Sequence, residues 1–134
     1  MPESIDTKKI HSGVVGLGLM GCSISTCLLI AGHPVVAVAP IPDDLKHAEI
    51  RVTEHLRRAR EEGLIDHLPD HYLKRLTITE DYSLLKDCNL VIECTIENMD
   101  IKKSVYDKIE RVIAPEALLT SNTSAIPISM LQKQ

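Results

Sequence analysis

Short apolar runs alternate with longer amphipathic stretches along this chain of 134 residues. The apolar runs have the length of β-strands, and they are Ile10–Val15, Val35–Ala39, Leu76–Thr79, Leu90–Cys94 and Leu118–Asn122. Strands that alternate with helices imply a parallel sheet with helices on both of its faces. The pattern therefore predicts an α/β fold, a doubly wound and mostly parallel sheet in a single domain.

The stretches between the runs repeat apolar residues at helical spacing. Steps of three and four from Leu45 to Ala59 predict a long helix over Asp43–Glu62. The other predicted helical segments are Met20–Ala31, a helix or turn over Leu68–Leu76 broken near Pro69, one turn over Tyr82–Lys86, a helix marked by Ile101 to Val112, and a helix that starts at Ile126.

Charge and composition exclude several classes of partner. The net charge is −4, there is no Trp or Phe, and there are three Tyr. A basic surface and aromatic stacking platforms, which nucleic-acid binders use, are therefore missing. The longest apolar run, Cys27–Gly32, is far shorter than the roughly 20 residues of a membrane span. The mixed charges of the first nine residues do not resemble a signal peptide. We expect a cytoplasmic protein with no nucleic-acid or membrane partner.

The cysteines and histidines do not predict a metal site. The four cysteines form no C-x-x-C pair, and the pair His67 and His71 is interrupted by Pro69 and lacks a third ligand. We expect reduced and mostly buried thiols, as is usual in a reducing compartment.

A glycine-rich motif, G-x-G-x-x-G, follows the first strand and opens the first helix. In this context Gly16 allows a tight turn, Gly18 lets the backbone approach a pyrophosphate, and Gly21 lets the helix pack against the strand. The helix N-terminus adds free N–H donors and a positive dipole end. The motif favours a Rossmann-type dinucleotide site over a glycine-rich turn without a ligand.

An acid is expected at the end of the second strand, where it would bind the adenine ribose hydroxyls. That position is Ala39, and residues 40–42 contain no cation for a 2′-phosphate. Asp43 and Asp44 follow, and we expect them to cap the next helix rather than hold the ribose. The sequence thus predicts NAD(H) over NADP(H), bound weakly, because a lost charge-assisted contact costs about 1.5–3 kcal/mol, or tenfold to a hundredfold in affinity.

Two later segments, Val91–Lys103 and Ser121–Ile128, carry the sequences VIECTIENMDIKK and SNTSAIPI. With the glycine motif before them, they resemble the N-terminal NAD-binding domain of 3-hydroxyacyl-CoA dehydrogenases, including bacterial 3-hydroxybutyryl-CoA dehydrogenases. The resemblance covers residues 9–134 and leaves residues 1–8 as an N-terminal extension. It implies oxidation of the 3-hydroxyl of acyl-CoA thioesters, in fatty acid metabolism, by hydride transfer to NAD.

The resemblance also implies a role for each matched residue. The pyrophosphate would lie on the loop formed by Gly16, Leu17, Gly18, Leu19, Met20 and Gly21. Glu97 and Lys102 would lie beside the nicotinamide-side ribose, and Ala39 stands where the family has its ribose-binding aspartate. Ser124 would bind the 3-oxygen of the substrate, and Asn122 would shape the same turn.

Each of these roles has a structural alternative. Glu97–Asn98 could cap a helix, Lys102 could be a solvated helix residue, and Ser124 could bind local backbone in a turn. The arginines of the long helix could meet CoA phosphates or form a solvated face; they are Arg51, Arg57, Arg58 and Arg60.

The resemblance implies two further parts, a His–Glu acid–base dyad and an all-helical C-terminal domain. The ten residues after Ser124 contain neither His nor Glu, so we expect the chain alone to be inactive. The chain would then be either an excised domain or a natural truncation. It would bind acyl-CoA only together with the missing C-terminal part. Without the next strand and the helical domain, a sheet edge and an apolar surface would be exposed. Both favour self-association, so we expect a homo-oligomer.

Two other functions stay open. One is a non-catalytic nucleotide-binding or regulatory module. The other is a domain of a related NAD-dependent 2- or 3-hydroxyacid dehydrogenase, since the glycine loop and the sheet are widely shared. The Ser121–Ser124 segment favours the acyl-CoA enzyme over this last alternative.

Overall fold

The computed structural model describes residues 6–124 and 126–132. Its sheet contains β1 (Ser12–Val15), β2 (Val35–Val38), β3 (Leu76–Thr79), β4 (Leu90–Glu93) and β5 (Leu118–Ser121). The strand order is β3-β2-β1-β4-β5, and every pairing is parallel. The predicted Rossmann-type parallel sheet is confirmed. From β1 the strands are added on one side as β2 and β3. The chain then crosses back and adds β4 and β5 on the other side of β1, so the strand order reverses between β1 and β4.

The helices are α1 (Leu19–Ile30), α2 (Pro42–Glu61), α3 (Pro69–Leu73), α4 (Met99–Glu110) and α5 (Ile128–Leu131), with 3-10 helices at Thr7–Lys9 and Tyr82–Asp87. Pro69 begins α3 rather than breaking it, because the first helical position needs no N–H and suits the fixed φ of proline. Helix α5 begins at Ile128 and not at Ile126, because Pro127 precedes its first turn.

Two predicted segments extend past the part of the chain that the structure describes. Residues 1–5 of the predicted N-terminal extension lie outside it, as do Lys133 and Gln134 of the predicted last helix.

The core has one apolar layer on each face of the sheet, as the alternation of side chains along a strand requires. Val14 and Ala37 face a layer that contains Leu29, Val52 and Leu56 from α1 and α2. Val15, Val38 and Val91 face the opposite layer, with Val105 and Ile109 from α4. The buried core is mainly aliphatic, which agrees with a chain that has no Trp or Phe.

The prediction of mostly buried thiols is met at two of the four cysteines. Cys22 and Cys88 are buried and Cys94 is half-buried, but Cys27 is exposed on α1. Burial raises the pKa of each of the three enclosed thiols to about 11, which keeps them protonated at neutral pH. The described residues contain no group of His, Cys, Asp or Glu arranged to hold a metal ion. No helix in that same part of the chain combines the length and apolarity needed to cross a bilayer.

Candidate cofactor-binding site

The loop between β1 and α1 has the geometry that its glycines predict. Gly16 has a φ of +100°, and a Cβ atom there would lie 2.7 Å from the carbonyl carbon and oxygen of Cys94. A Cβ atom on Gly21 would lie 1.7 Å from the carbonyl oxygen of Gly16. Gly18 has open space around its Cα, with no heavy atom within 4 Å of a Cβ built there. The loop therefore turns tightly, packs closely and leaves Gly18 open to a ligand.

Helix α1 presents its N-terminus at this opening. Gly18 is its N-cap, and the side chains of Leu19 and Met20 in its first turn are exposed. The first N–H groups of a helix have no acceptor within the helix, and the positive end of the helix dipole lies beside them. The residues present thus fit a pyrophosphate.

Asp44 reaches this loop, which the sequence did not predict. The backbone N–H of Leu17 donates a hydrogen bond of 2.9 Å to Oδ2 of Asp44. Arg51 Nη1 donates to the carbonyl oxygen of Leu17 at 2.7 Å and lies 3.6 Å from Oδ1 of Asp44. The prediction that Asp43 and Asp44 cap α2 is wrong: the N-cap is Ile41, and it has no side-chain cap. Asp43 instead pairs with His47, 3.3 Å away.

A buried carboxylate, Glu93, ends β4 at the same edge of the sheet. Lys102 Nζ donates to its Oε1 at 3.1 Å and to its Oε2 at 2.8 Å, and both side chains are 0% exposed. The N–H and the hydroxyl of Thr95 each donate to Oε2 at 2.6 Å, and the hydroxyl of Ser121 donates to Oε1 at 2.7 Å. Lys102 also donates to the carbonyl oxygen of Thr95 at 3.0 Å.

These partners decide the charge of Glu93. Burial raises the pKa of its carboxyl, but the hydrogen bonds from Lys102, Thr95 and Ser121 outweigh burial, so the net pKa lies below the ordinary value. The carboxylate is ionised at neutral pH and ties α4 to the ends of β4 and β5.

The structure brings Glu97 and Lys102 together. Lys102 Nζ lies 3.7 Å from Oε1 of Glu97, and the hydroxyl of Thr123 donates to Oε2 of Glu97 at 2.7 Å. The N–H of Asn122 donates to the carbonyl oxygen of Glu93 at 2.8 Å, and Ser124 is exposed in the same turn. The turn after β5 is thus held against the turn after β4.

Contacts and burial decide the structural alternatives for Glu97–Asn98 and for Lys102. Asn98 does cap α4, since its side chain accepts from the N–H of Ile101 at 3.1 Å, but Glu97 binds Thr123 instead. Lys102 is not a solvated helix residue, because it is fully buried. Ala39 is 3% exposed and packs within the core, so the end of β2 offers no polar side chain there.

The arginines of α2 divide into two groups. Arg57 and Arg58 bind Glu54 on their own helix, and Arg57 also binds Glu61, which agrees with the solvated-face interpretation. Among the hydrogen bonds described for these arginines, the one that reaches the glycine loop is donated by Arg51 to the carbonyl oxygen of Leu17.

Comparison with known proteins agrees with this geometry. The family profile "3-hydroxyacyl-CoA dehydrogenase, NAD binding domain" matches residues 11–134. This chain belongs to the 3-hydroxyacyl-CoA dehydrogenase family. The match identifies NAD as the cofactor of this NAD-binding domain.

Several dehydrogenases are similar to this domain. A 3-hydroxybutyryl-CoA dehydrogenase of Mycobacterium tuberculosis is 36% identical over 118 residues, which are 87% of this chain and 41% of the relative. A "Probable 3-hydroxybutyryl-CoA dehydrogenase" of Deinococcus radiodurans is 33% identical over 119 residues, 89% of this chain and 43% of the relative. The crystal structure of M. tuberculosis FadB2 matches with a TM-score of 0.85 and 35% identity, covering 90% of this chain and 43% of that one.

The NAD-binding domain spans about two fifths of the length of the curated relatives it matches.

Sequence reasoning missed three of its polar residues: Asp44, Glu93 and Ser121. For Glu93 a signal existed, because a lone carboxylate in an otherwise apolar strand must have a buried partner.

Proposed function

We propose that this domain binds NAD(H) for a 3-hydroxyacyl-CoA dehydrogenase that acts in fatty acid metabolism. NAD, when bound, would supply the hydride acceptor for oxidation at the 3-carbon of the thioester. The observation that carries the proposal is the meeting of the loop after β1 with the turns after β4 and β5. Gly16 packs against the backbone of Cys94, and Thr123 binds Glu97 across the same edge.

The pyrophosphate lies, in this proposal, against the open face of Gly18 and the first turn of α1. The nicotinamide-side ribose meets the Glu97 carboxylate, and the buried Lys102 ammonium lies behind that carboxylate, 3.7 Å from its Oε1. Thr123 holds the Glu97 carboxylate at 2.7 Å, and Glu93 holds the Lys102 ammonium at 2.8 Å, so both groups are positioned before a ligand arrives. A group that is already positioned loses less entropy when it binds.

Ser124 is proposed to orient the 3-oxygen of the substrate through its hydroxyl. It lies exposed in the turn after β5, where the carboxyl ends of the strands of an open α/β sheet bind ligands. A serine hydroxyl is too weak a base to take the substrate proton at neutral pH. The resemblance gives that role to a His–Glu dyad with no matching residues among the ten after Ser124, so we propose that the general base lies outside this chain.

The proposal includes self-association and a cytoplasmic location, and it confines acyl-CoA turnover to a protein that also supplies a His–Glu dyad. Self-association is supported by β5, which pairs only with β4 in the described sheet, and by Leu118 on that strand, which is 63% exposed. An unpaired strand edge with apolar side chains favours pairing with another chain.

Two assays on the purified 134-residue chain test the proposed function. Titration followed by NADH fluorescence should show saturable binding of NADH and weaker binding of NADPH. Absorbance of NADH should stay constant on addition of acetoacetyl-CoA. Absence of NADH binding would overturn the cofactor assignment. Turnover at an ordinary enzyme rate of about 1–10³ s⁻¹ would overturn the placement of the base outside the chain.

A further inference from the structure

Dinucleotide-binding folds usually carry their ribose-binding acid at the end of the second strand. Here the acid beside the glycine loop is Asp44, which lies in the first turn of α2. The strand-end position, Ala39, has a buried methyl group and cannot contact a ribose. Asp44, in the first turn of α2, turns its carboxylate back to the N–H of Leu17. Leu17 follows the end of β1, and β1 pairs with β2 through Val15 and Val38. The carboxylate of Asp44 therefore lies at the loop after β1, and the N–H of Gly16 in that loop donates to the carbonyl oxygen of Val38 at the end of β2.

The crevice beside the ends of these two strands is where dinucleotide-binding folds place the adenosine ribose. We propose that Asp44 supplies the ribose acceptor that Ala39 lacks, and that its charge selects NAD(H) against NADP(H). This inference rests on the proposed function, since it assigns a further residue to the same cofactor.

Asp44 is held in place and still has acceptor capacity. Its Oδ2 accepts from Leu17, and its Oδ1 lies 3.6 Å from the guanidinium of Arg51. Arg51 follows Asp44 by two helical turns, which places both on one face of α2. An ionised carboxylate has about four lone-pair sites, so sites remain for ribose hydroxyls. The side chain of Asp44 is 13% exposed, which leaves an approach from the crevice.

The same pair explains how a 2′-phosphate would be refused. A phosphate monoester carries a charge of about −1.5 to −2 at neutral pH, and the Asp44 carboxylate would repel it. Arg51 is the cation that could receive it, but its guanidinium is bound to Leu17 and lies against Asp44. Removal of the Asp44 carboxylate would release Arg51 toward the phosphate, so one substitution should weaken NADH and favour NADPH.

Calorimetric titration of four forms of the chain tests this: wild type, Asp44→Ala, Asp44→Asn and Asp43→Ala. Asp43 is the matched control, because it is the neighbouring acid but is 67% exposed and pairs with His47 rather than the loop. We expect Asp44→Ala to raise the Kd of NADH about tenfold to a hundredfold and to lower the Kd of NADPH. Asp43→Ala should bind both dinucleotides as the wild type does. Asp44→Asn keeps an oxygen for the N–H of Leu17 while losing the charge, and melting curves of each unliganded variant establish that it is folded.

The 2′-deoxyadenosine analogue of NADH separates ribose contact from an indirect effect on the loop. The wild type should bind this analogue more weakly than NADH, and Asp44→Ala should bind the two equally. The inference is overturned if Asp44→Ala binds NADH as tightly as the wild type or more tightly, or if it weakens NADH and NADPH by the same factor. If the wild type binds neither dinucleotide, the proposed function itself fails, which is a different outcome.

Discussion

Replacement of Lys102 by methionine should strongly destabilise the domain. Lys102 is 0% exposed and gives three hydrogen bonds, two to Glu93 and one to the carbonyl oxygen of Thr95. Breaking a buried ion pair by removing one partner costs about 3–5 kcal/mol, because the other charge stays buried. Glu93 retains its donors from Thr95 and Ser121, so we take the lower end, about 3 kcal/mol. Since a domain is stable by about 5–15 kcal/mol, this is a large fraction.

Urea unfolding followed by circular dichroism measures this loss; the chain has no Trp for a fluorescence signal. Lys103→Met is the matched control, since Lys103 is the next residue of α4 and is exposed, and it should change the unfolding free energy by no more than about 0.5 kcal/mol. The double variant Lys102→Met with Glu93→Gln should recover much of the loss, because no unpaired charge stays buried. Equal stability of Lys102→Met and Lys103→Met would refute the reasoning.

The unfolding free energy of Lys102→Met should depend on pH in a direction that the state of Glu93 determines. The folded pKa of Glu93 lies below its ordinary value, so its contribution is present at neutral pH and is lost as pH falls below the unfolded value of about 4.3. Without Lys102, the burial that opposes ionisation dominates, and the folded pKa should rise above that value. The deficit of Lys102→Met should therefore shrink as pH is lowered from 7 toward about 4.3. A deficit that stays constant over this range would contradict the assignment of the loss to an unpaired carboxylate.

Two further predictions concern the glycine loop and the sheet edge. Gly21→Ala should prevent stable folding, because its Cβ would lie 1.7 Å from the oxygen of Gly16. Gly18→Ala should melt like the wild type, because its Cβ meets no protein atom, and it should bind NADH more weakly, because the proposed function places the pyrophosphate there. Equal melting temperatures for the two variants would contradict this. Light scattering coupled to size exclusion should give a mass above that of the monomer, and a monomer mass at every concentration would show that the β5 edge does not pair.

Much of the fold could be predicted from the sequence, because periodicity reports local burial. The helix α2 was predicted over Asp43–Glu62 and is observed over Pro42–Glu61, and β3 was predicted with its observed bounds. The tight turn of the glycine loop was predictable, since Gly16 and Gly21 each occupy a place where a Cβ would clash with backbone atoms. The space around Gly18 is open in the structure, and its contact with a pyrophosphate stays a prediction.

The polar contacts of the site could not be predicted in the same way. Acids in the first turn of a helix favour that helix whether or not they also reach a neighbouring loop. Only the packing of α2 beside the end of β1 gives Asp44 the N–H of Leu17 as a partner. Likewise, Lys102 and Glu93 are nine residues apart on different elements, and periodicity does not say which side of α4 meets the end of β4.

The most direct test of the account is a nuclear magnetic resonance titration of the labelled chain with NADH, read at each backbone amide. The account predicts the largest shifts at the glycine loop, above all at Gly18, Leu19 and Met20, with a second group at Glu97 and Asn122 on the turns after β4 and β5. Shifts confined to the amino ends of the strands, or to the groove between α4 and α5 near Tyr106 and Leu131, would contradict the account. A spectrum that NADH leaves unchanged would contradict it as well.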